Sequence, residues 1–387
     1  MYRETTSTSW FGRLRNALTG ILAGLVLALI AVGLLFWNEG RAIKTYRALV
    51  EGAGSIISID NAKVDPANEG KLIHIAGDFK ANGAPQDTTL GITADGAVRL
   101  ERKVEMFQWK EKSKSETKTK LGGGEETVTT YDYYKDWSEE AVDSSKFKVS
   151  EGHLNPPMPA ESDSFAVADG NLGAFVLTGD QFSSLGKDKP ILLNAADAER
   201  IKEKMGTAKG AKIDQGRVFL GYDPVSPWVG DLRISYASAA LPQVSAAGAQ
   251  RGNHLADYIT SNGQSIFLVD EGIKSASQMF DDAQTGNTVI TWILRVAGLL
   301  ILFVGFKLVF LIFGVAGDVL PIFGDIVRFG TTLIALVLTA LVGALTIGIA
   351  WLWYRPLIGI AVLAVGFIIA GFFWYRGKQK ASAPAVA

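Results

Sequence analysis

Long, uniformly apolar runs flank a broad polar middle in this chain. Ala17–Trp37 reads ALTGILAGLVLALIAVGLLFW and carries no charge. Further apolar runs cover Ile290–Phe313, Phe329–Leu352 and Leu357–Trp374. Each is close to the length that crosses a hydrocarbon core of about 30 Å as an α-helix. The pattern predicts four transmembrane helices, at 17–37, 290–313, 329–352 and 357–374. Tryptophans at 10, 37, 292, 351, 353 and 374 fall at the ends of these runs, as an aromatic belt requires. Pro356 stands where the fourth helix starts, a position that needs no N–H.

Between 38 and 289 the periodicity changes. Asn38–Ile56 carries apolar residues at helical spacing until Gly52 and Gly54 stop it, so the first helix continues or bends beyond the membrane. Lys71–Gly77, Val229–Tyr236 and Gln264–Val269 alternate as strands. Val98–Trp109 and Thr127–Tyr134 frame a charged, glycine-ended stretch and predict a long hairpin with a mobile, solvated tip at about 111–126. Ala195–Met205 is an exposed helix, and Ser275–Gln284 a capped helix leading into the second span. The fold class is an α+β extramembrane domain of antiparallel strands plus helices, inserted between one N-terminal and three C-terminal transmembrane α-helices.

Charge changes the picture by orientation rather than by net value. The 387 residues hold 38 basic and 39 acidic side chains, so phosphate neutralisation cannot drive nucleic-acid binding. Arg3, Arg13 and Arg15 precede the first span, and Arg376, Lys378 and Lys380 follow the last. The positive-inside rule then makes 1–16 and 375–387 cytoplasmic tails and puts the 38–289 domain in the periplasm or a lumen. No A-x-A-like site follows the first run, which reads as an uncleaved anchor. The 38–289 region holds no N-x-[ST] sequon, which points to a bacterial inner membrane.

Candidate chemistry is sparse. There is no cysteine, hence no disulfide, thiolate metal site or cysteine nucleophile. His74, His153 and His254 are far apart, and no phosphate loop, nucleophile elbow or zinc motif occurs. No catalytic, cofactor or metal residue is assigned. Arg295 and Lys307 lie in or beside the second span without an intramembrane acid to pair with, and read as snorkelling or lipid-headgroup contacts. The connector 314–328, with Asp318, Asp325 and Arg328, reads as an interfacial amphipathic helix. Gly20, Gly24 and Ala28, and again Ala340, Ala344 and Gly348, form small-residue stripes that either pack the spans together or pair protomers.

Several short stretches carry a resemblance. Asn38-Glu39-Gly40-Arg41-Ala42 follows the first span, and Asn68-Glu69-Gly70 precedes Leu72-Ile73-His74-Ile75. Val104-Glu105-Met106 precedes Gln108-Trp109, Gly230-Asp231-Leu232-Arg233 opens a strand, and Tyr354-Arg355-Pro356-Leu357 separates the last spans. In this order around four spans, nearly the whole chain resembles the LUMA family, the transmembrane protein 43 family. The resemblance implies a large lumenal or periplasmic domain and a self-associating organiser of membrane-protein assemblies. Its eukaryotic members sit in the endoplasmic reticulum and inner nuclear membrane, with emerin and lamins as partners. The expected function is a non-enzymatic membrane scaffold in contact with lipids, further copies and other membrane proteins. A transporter or channel component and a membrane-surface enzyme acting on lipid or cell envelope are the alternatives.

Overall fold

The computed structural model describes residues 1–357; the fourth predicted span beyond Leu357 and the 375–387 tail lie outside the described residues. Five α-helices are described: α1 Trp10–Ser55, α2 Gly179–Phe182, α3 Ala195–Met205, α4 Ala276–Gly317 and α5 Pro321–Tyr354. Of these, α1, α4 and α5 are long and apolar enough to cross a membrane. The chain divides into two compact units. One holds residues 1–5, 48–116 and 128–283; the other holds, among the described residues, 6–47, 117–127 and 284–357.

The first unit is sheet-rich and mainly antiparallel. Its eight-stranded sheet runs in the order Tyr2–Thr8, Glu125–Ser138, Arg99–Thr119, Leu232–Ala239, Arg217–Leu220, Ala211–Asp214, with Asp163–Ala166 and Lys189–Ile191 on side branches. Leu100, Val104, Met106, Val218, Leu220, Ile234 and Tyr236 alternate inward along these strands, and α3 covers them with Ala198 and Ile201. A one-residue slip would send this apolar row to water, which fixes the register. Helix α3 has the bounds its periodicity predicts, with Asn194 capping its start and Gly206, at φ 60°, ending it.

A second sheet closes on itself. Gln243–Arg251, His254–Ala256, Phe175–Thr178, Asp169–Leu172 and Leu72–Ala81 each pair with the next, and the last pairs back with the first. Closure leaves these five strands without a free edge. Ile73, Ile75, Leu172, Phe175, Leu177, Val244 and Leu255 fill the interior. A third cluster ties the helix ends to this sheet: Leu49 of α1 and Phe280 of α4 pack on Leu72 and Ile266. At Gly52 a Cβ would meet Ile266 at 2.5 Å, so the glycine that reads as a helix stop is a contact point inside α1.

Several expectations change here. The charged run 110–120 is strand, not mobile tip: Arg99–Thr119 and Glu125–Ser138 extend the hairpin to a turn at 120–124. Cross-strand hydroxyl pairs Ser115–Thr129 and Thr117–Thr127, each 2.9 Å, hold it together. The 314–328 connector is not a separate interfacial helix, because α4 runs to Gly317 and α5 starts at Pro321. Only Asp318–Leu320 intervenes, and Gly317 and Gly324 allow the close approach. Residues 1–16 are not a free tail either. Tyr2–Thr8, rich in β-branched threonine, is a strand on Glu125–Ser138, and Glu4 accepts from Lys148 Nζ at 2.7 Å. That contact and the neighbouring Tyr131 hold the Glu4 carboxyl below its usual range, with the Lys148 hydrogen bond as the largest cause.

Candidate functional site

Helix α1 crosses α4 where side chains vanish. A Cβ on Gly24 would stand 2.5 Å from the Gly305 carbonyl oxygen, and one on Gly305 would stand 2.8 Å from the Gly24 carbonyl oxygen. The Gly20, Gly24, Ala28 stripe therefore packs α1 on α4. The second stripe behaves differently: Ala340, Ala344 and Gly348 on α5 are exposed, and no described atom lies within 4 Å of a Cβ on Gly348. Gly24→Ala is expected to force the helices apart and cost about 1–3 kcal/mol. Gly33→Ala, with open space at its Cβ, should be neutral or stabilising by about 0.5–1 kcal/mol. Thermal unfolding in detergent reads the difference; equal shifts would refute the close crossing.

Farther along α1 lies a polar knot that joins Asn38, Glu39 and Arg41 to Asn287, Thr291, Arg295 and Trp351. Glu39 accepts from Arg295 Nε at 2.6 Å and from Arg295 Nη2 at 2.8 Å, a two-pronged carboxylate–guanidinium pair. The Trp351 indole N–H donates to the same carboxylate at 2.9 Å. Asn38 Nδ2 donates to the Thr291 carbonyl at 3.0 Å. Arg41 donates to Asn287 Oδ1 at 3.0 Å, Thr291 Oγ1 at 2.9 Å and Asn38 Oδ1 at 3.3 Å. Gly40 is required because a Cβ would stand 2.5 Å from the Tyr354 ring. Arg47 donates to the Tyr354 carbonyl at 2.9 Å, and the Arg355 guanidinium lies 5.9 Å from the Tyr46 ring centre. The two resemblance motifs Asn38–Arg41 and Tyr354–Pro356 thus meet at one place on α1, α4 and α5.

Arg295 is accordingly not an unpaired lipid contact. Its acid lies on α1, 256 residues earlier, where no sequence spacing announces it. Its guanidinium also rests 4.8 Å from the Trp292 ring centre, which leaves little of it for a headgroup. Lys307 is outside the knot, exposed on α4, with its ammonium 5.9 Å from the Phe303 ring centre.

A second knot sits at the opposite end of α1. Asp318, fully buried, accepts from Arg13 at 2.5 Å and from Arg328 at 2.6 Å. Arg13 also reaches the Gly123 carbonyl at 2.5 Å and Glu125 at 2.8 Å, in the hairpin turn. Trp10 donates to the Val315 carbonyl at 2.8 Å and covers Gly123. The knots order helix ends; neither sets a nucleophile beside a base. Among the described residues, no cluster of three or more His, Cys, Asp or Glu could hold a metal ion.

Comparison with known proteins fits this geometry. The family model described as Transmembrane protein 43 matches residues 106–356, which include Arg295, Trp351 and the Tyr354–Pro356 junction. Transmembrane protein 43 of Rattus norvegicus is 33% identical over 358 residues, 89% of this chain and 87% of the relative. The Homo sapiens protein is 30% identical over 379 residues, 95% of this chain and 92% of the relative. The Drosophila melanogaster homolog is 29% identical over 372 residues, covering 92% and 93%. These relatives are animal proteins, so the bacterial assignment rests on the missing sequon alone. No solved structure matches the chain.

Proposed function

The chain belongs to the transmembrane protein 43 family, and from that premise we propose that it is a non-enzymatic membrane scaffold that self-associates and gathers lipids and other membrane proteins. The observation that carries this is the division of labour among the small-residue stripes. Gly24 is consumed by the α1–α4 crossing, whereas Ala340, Ala344 and Gly348 are exposed and, among the described residues, nothing packs where a Cβ on Gly348 would stand. A second copy docked there would bury the exposed Leu336, Leu341 and Leu345 beside it. The ion pairs that anchor the bundle lie at its ends, Glu39–Arg295 at one and Arg13–Asp318–Arg328 at the other. A transporter gains nothing from Arg295, whose charge is matched by Glu39, and a membrane-surface enzyme gains no catalytic group. Size measurement across a concentration series should give an oligomer for the wild type and a monomer for Ala344→Leu/Gly348→Leu. A strictly monomeric wild type, with no crosslinked species in membranes, would remove the proposal.

Membrane crossing adds a condition. The apolar run 17–37 carries no charge on any side of α1: Leu18, Leu22, Leu25, Val26, Leu29 and Ile30 are exposed on one face and Gly20, Gly24 and Ala28 pack on α4 on the other, which suits a spanning helix better than an amphipathic one lying in the interface. A crossed α1 has its two ends on opposite faces of the bilayer. The pairing of residues 1–5 with the sheet-rich unit keeps them on that unit's face. Charged strands cannot rest in hydrocarbon, so the pairing and the crossing exclude each other. Crossing by α1 therefore requires Tyr2–Thr8 to leave Glu125–Ser138. The sheet-rich unit then faces away from the cytosol.

A further inference from the structure

We infer that a cleft beside the Glu39–Arg295 knot binds the phosphate of a membrane phospholipid; the inference rests on the membrane-spanning reading of α1, α4 and α5. The cleft encloses about 150 Å³ between the three helices. That is room for roughly five waters at about 30 Å³ each, enough for a phosphoester and too little for a whole lipid. Its wall carries Glu39, Arg295 and Arg355 as charged groups. Glu39 and Arg295 neutralise each other at 2.6 Å, which leaves Arg355 as the surplus charge and makes the cleft a site for an anion. Among the described residues, the Arg355 guanidinium meets only the Tyr46 ring face.

Two features select a lipid over a free ion. Tyr46, Trp292 and Trp351 line the cleft at the end of the apolar runs, the depth at which headgroups lie. Tyr46 and Arg355 also line an adjoining, mainly apolar groove of about 550 Å³ with Ile43, Pro356, Leu357 and Arg47, whose guanidinium donates to the Tyr354 carbonyl. A polar pocket that opens into an apolar groove across a shared tyrosine and arginine has the shape of an amphiphile, with phosphate on Arg355 and the glycerol and upper chains along Ile43 and Leu357.

The test uses the full-length chain in neutral detergent and native mass spectrometry, which reads retained lipid and protomer number together. Short-chain phosphatidylglycerol is titrated against short-chain phosphatidylcholine and inorganic phosphate. Arg355→Gln should weaken phosphatidylglycerol retention about fivefold, the worth of one cation at a lipid surface. Arg355→Lys should restore most of it, and Lys307→Gln, exposed on α4 away from the cleft, should leave it unchanged. Unaltered retention in Arg355→Gln, or equal loss in Lys307→Gln, would overturn the site. Displacement by inorganic phosphate alone would make it an anion site and overturn the lipid assignment. The protomer count in the same spectra separates failure of the lipid site from failure of self-association.

Discussion

Glu39→Ala is expected to destabilise the helical unit by about 3–5 kcal/mol, the usual result of stripping one partner from a buried ion pair. Glu39 is 3% exposed and Arg295 15%, so bulk solvent screens the pair little. The Trp351 indole N–H loses its acceptor in the same step. Glu39→Gln, which can still accept from Trp351, should cost less. Glu39→Ala/Arg295→Met removes both charges together and should recover much of the loss, because the cost lies in the orphaned guanidinium and not in the absence of attraction. Melting of the detergent-solubilised chain measures all three. A double variant as unstable as Glu39→Ala would mean that packing, not charge, accounts for the position.

The second large effect is expected in the sheet-rich unit, at Asp87. This carboxylate is fully buried and accepts from Arg102 and from the Tyr236 hydroxyl, both at 2.6 Å. Its other oxygen accepts from the backbone N–H of Thr89 and Leu90, at 3.0 and 3.1 Å. One side chain thus joins the 87–90 turn to two strands of the large sheet. Burial, then the hydrogen bond to Asp87 and the charge of that carboxylate, push the Tyr236 hydroxyl far above the ordinary phenol range, so it stays a donor at every physiological pH. Asp87→Ala leaves Arg102, 7% exposed, without its buried counter-ion and should cost about 3–5 kcal/mol. Asp87→Asn keeps an oxygen for the turn N–H groups and should fall between it and wild type. Chemical denaturation followed by circular dichroism reads the order; an unchanged Asp87→Ala midpoint would contradict the network.

Sequence patterns reveal local elements well and long-range partners poorly. Ala195–Met205 was legible as a helix from its own residues, and the structure adds the Asn194 cap and the Gly206 end that set its bounds. Gly24 was legible as a packing residue but not as the partner of Gly305, since small residues are frequent in apolar helices. The Glu39–Arg295 pair was invisible: each half sits at the edge of its own apolar run, and only the fold unites them. Length misled at the hairpin, where Lys112, Lys114 and Lys118 look like a solvated loop yet alternate with Ser and Thr as a two-sided polar strand. The N-terminal strand was missed because basic residues beside an apolar run read as a cytoplasmic flank. The Asn38–Arg41 and Tyr354–Pro356 motifs signalled importance, and the geometry gives the reason: α1 meets the end of α5 there, with Gly40 against the Tyr354 ring and Glu39 accepting from Trp351.

The scaffold stands or falls with the crossing of α1, and the chain's lack of cysteine makes that directly measurable. Ser7→Cys and Ser115→Cys each introduce a single thiol, both on exposed positions. In sealed membranes a membrane-impermeant maleimide should label the two from opposite faces, Ser115→Cys from the face of the sheet-rich unit and Ser7→Cys only after permeabilisation. Labelling of both from the same face would keep the N-terminal strand on its hairpin, deny that α1 crosses, and contradict the membrane-spanning scaffold.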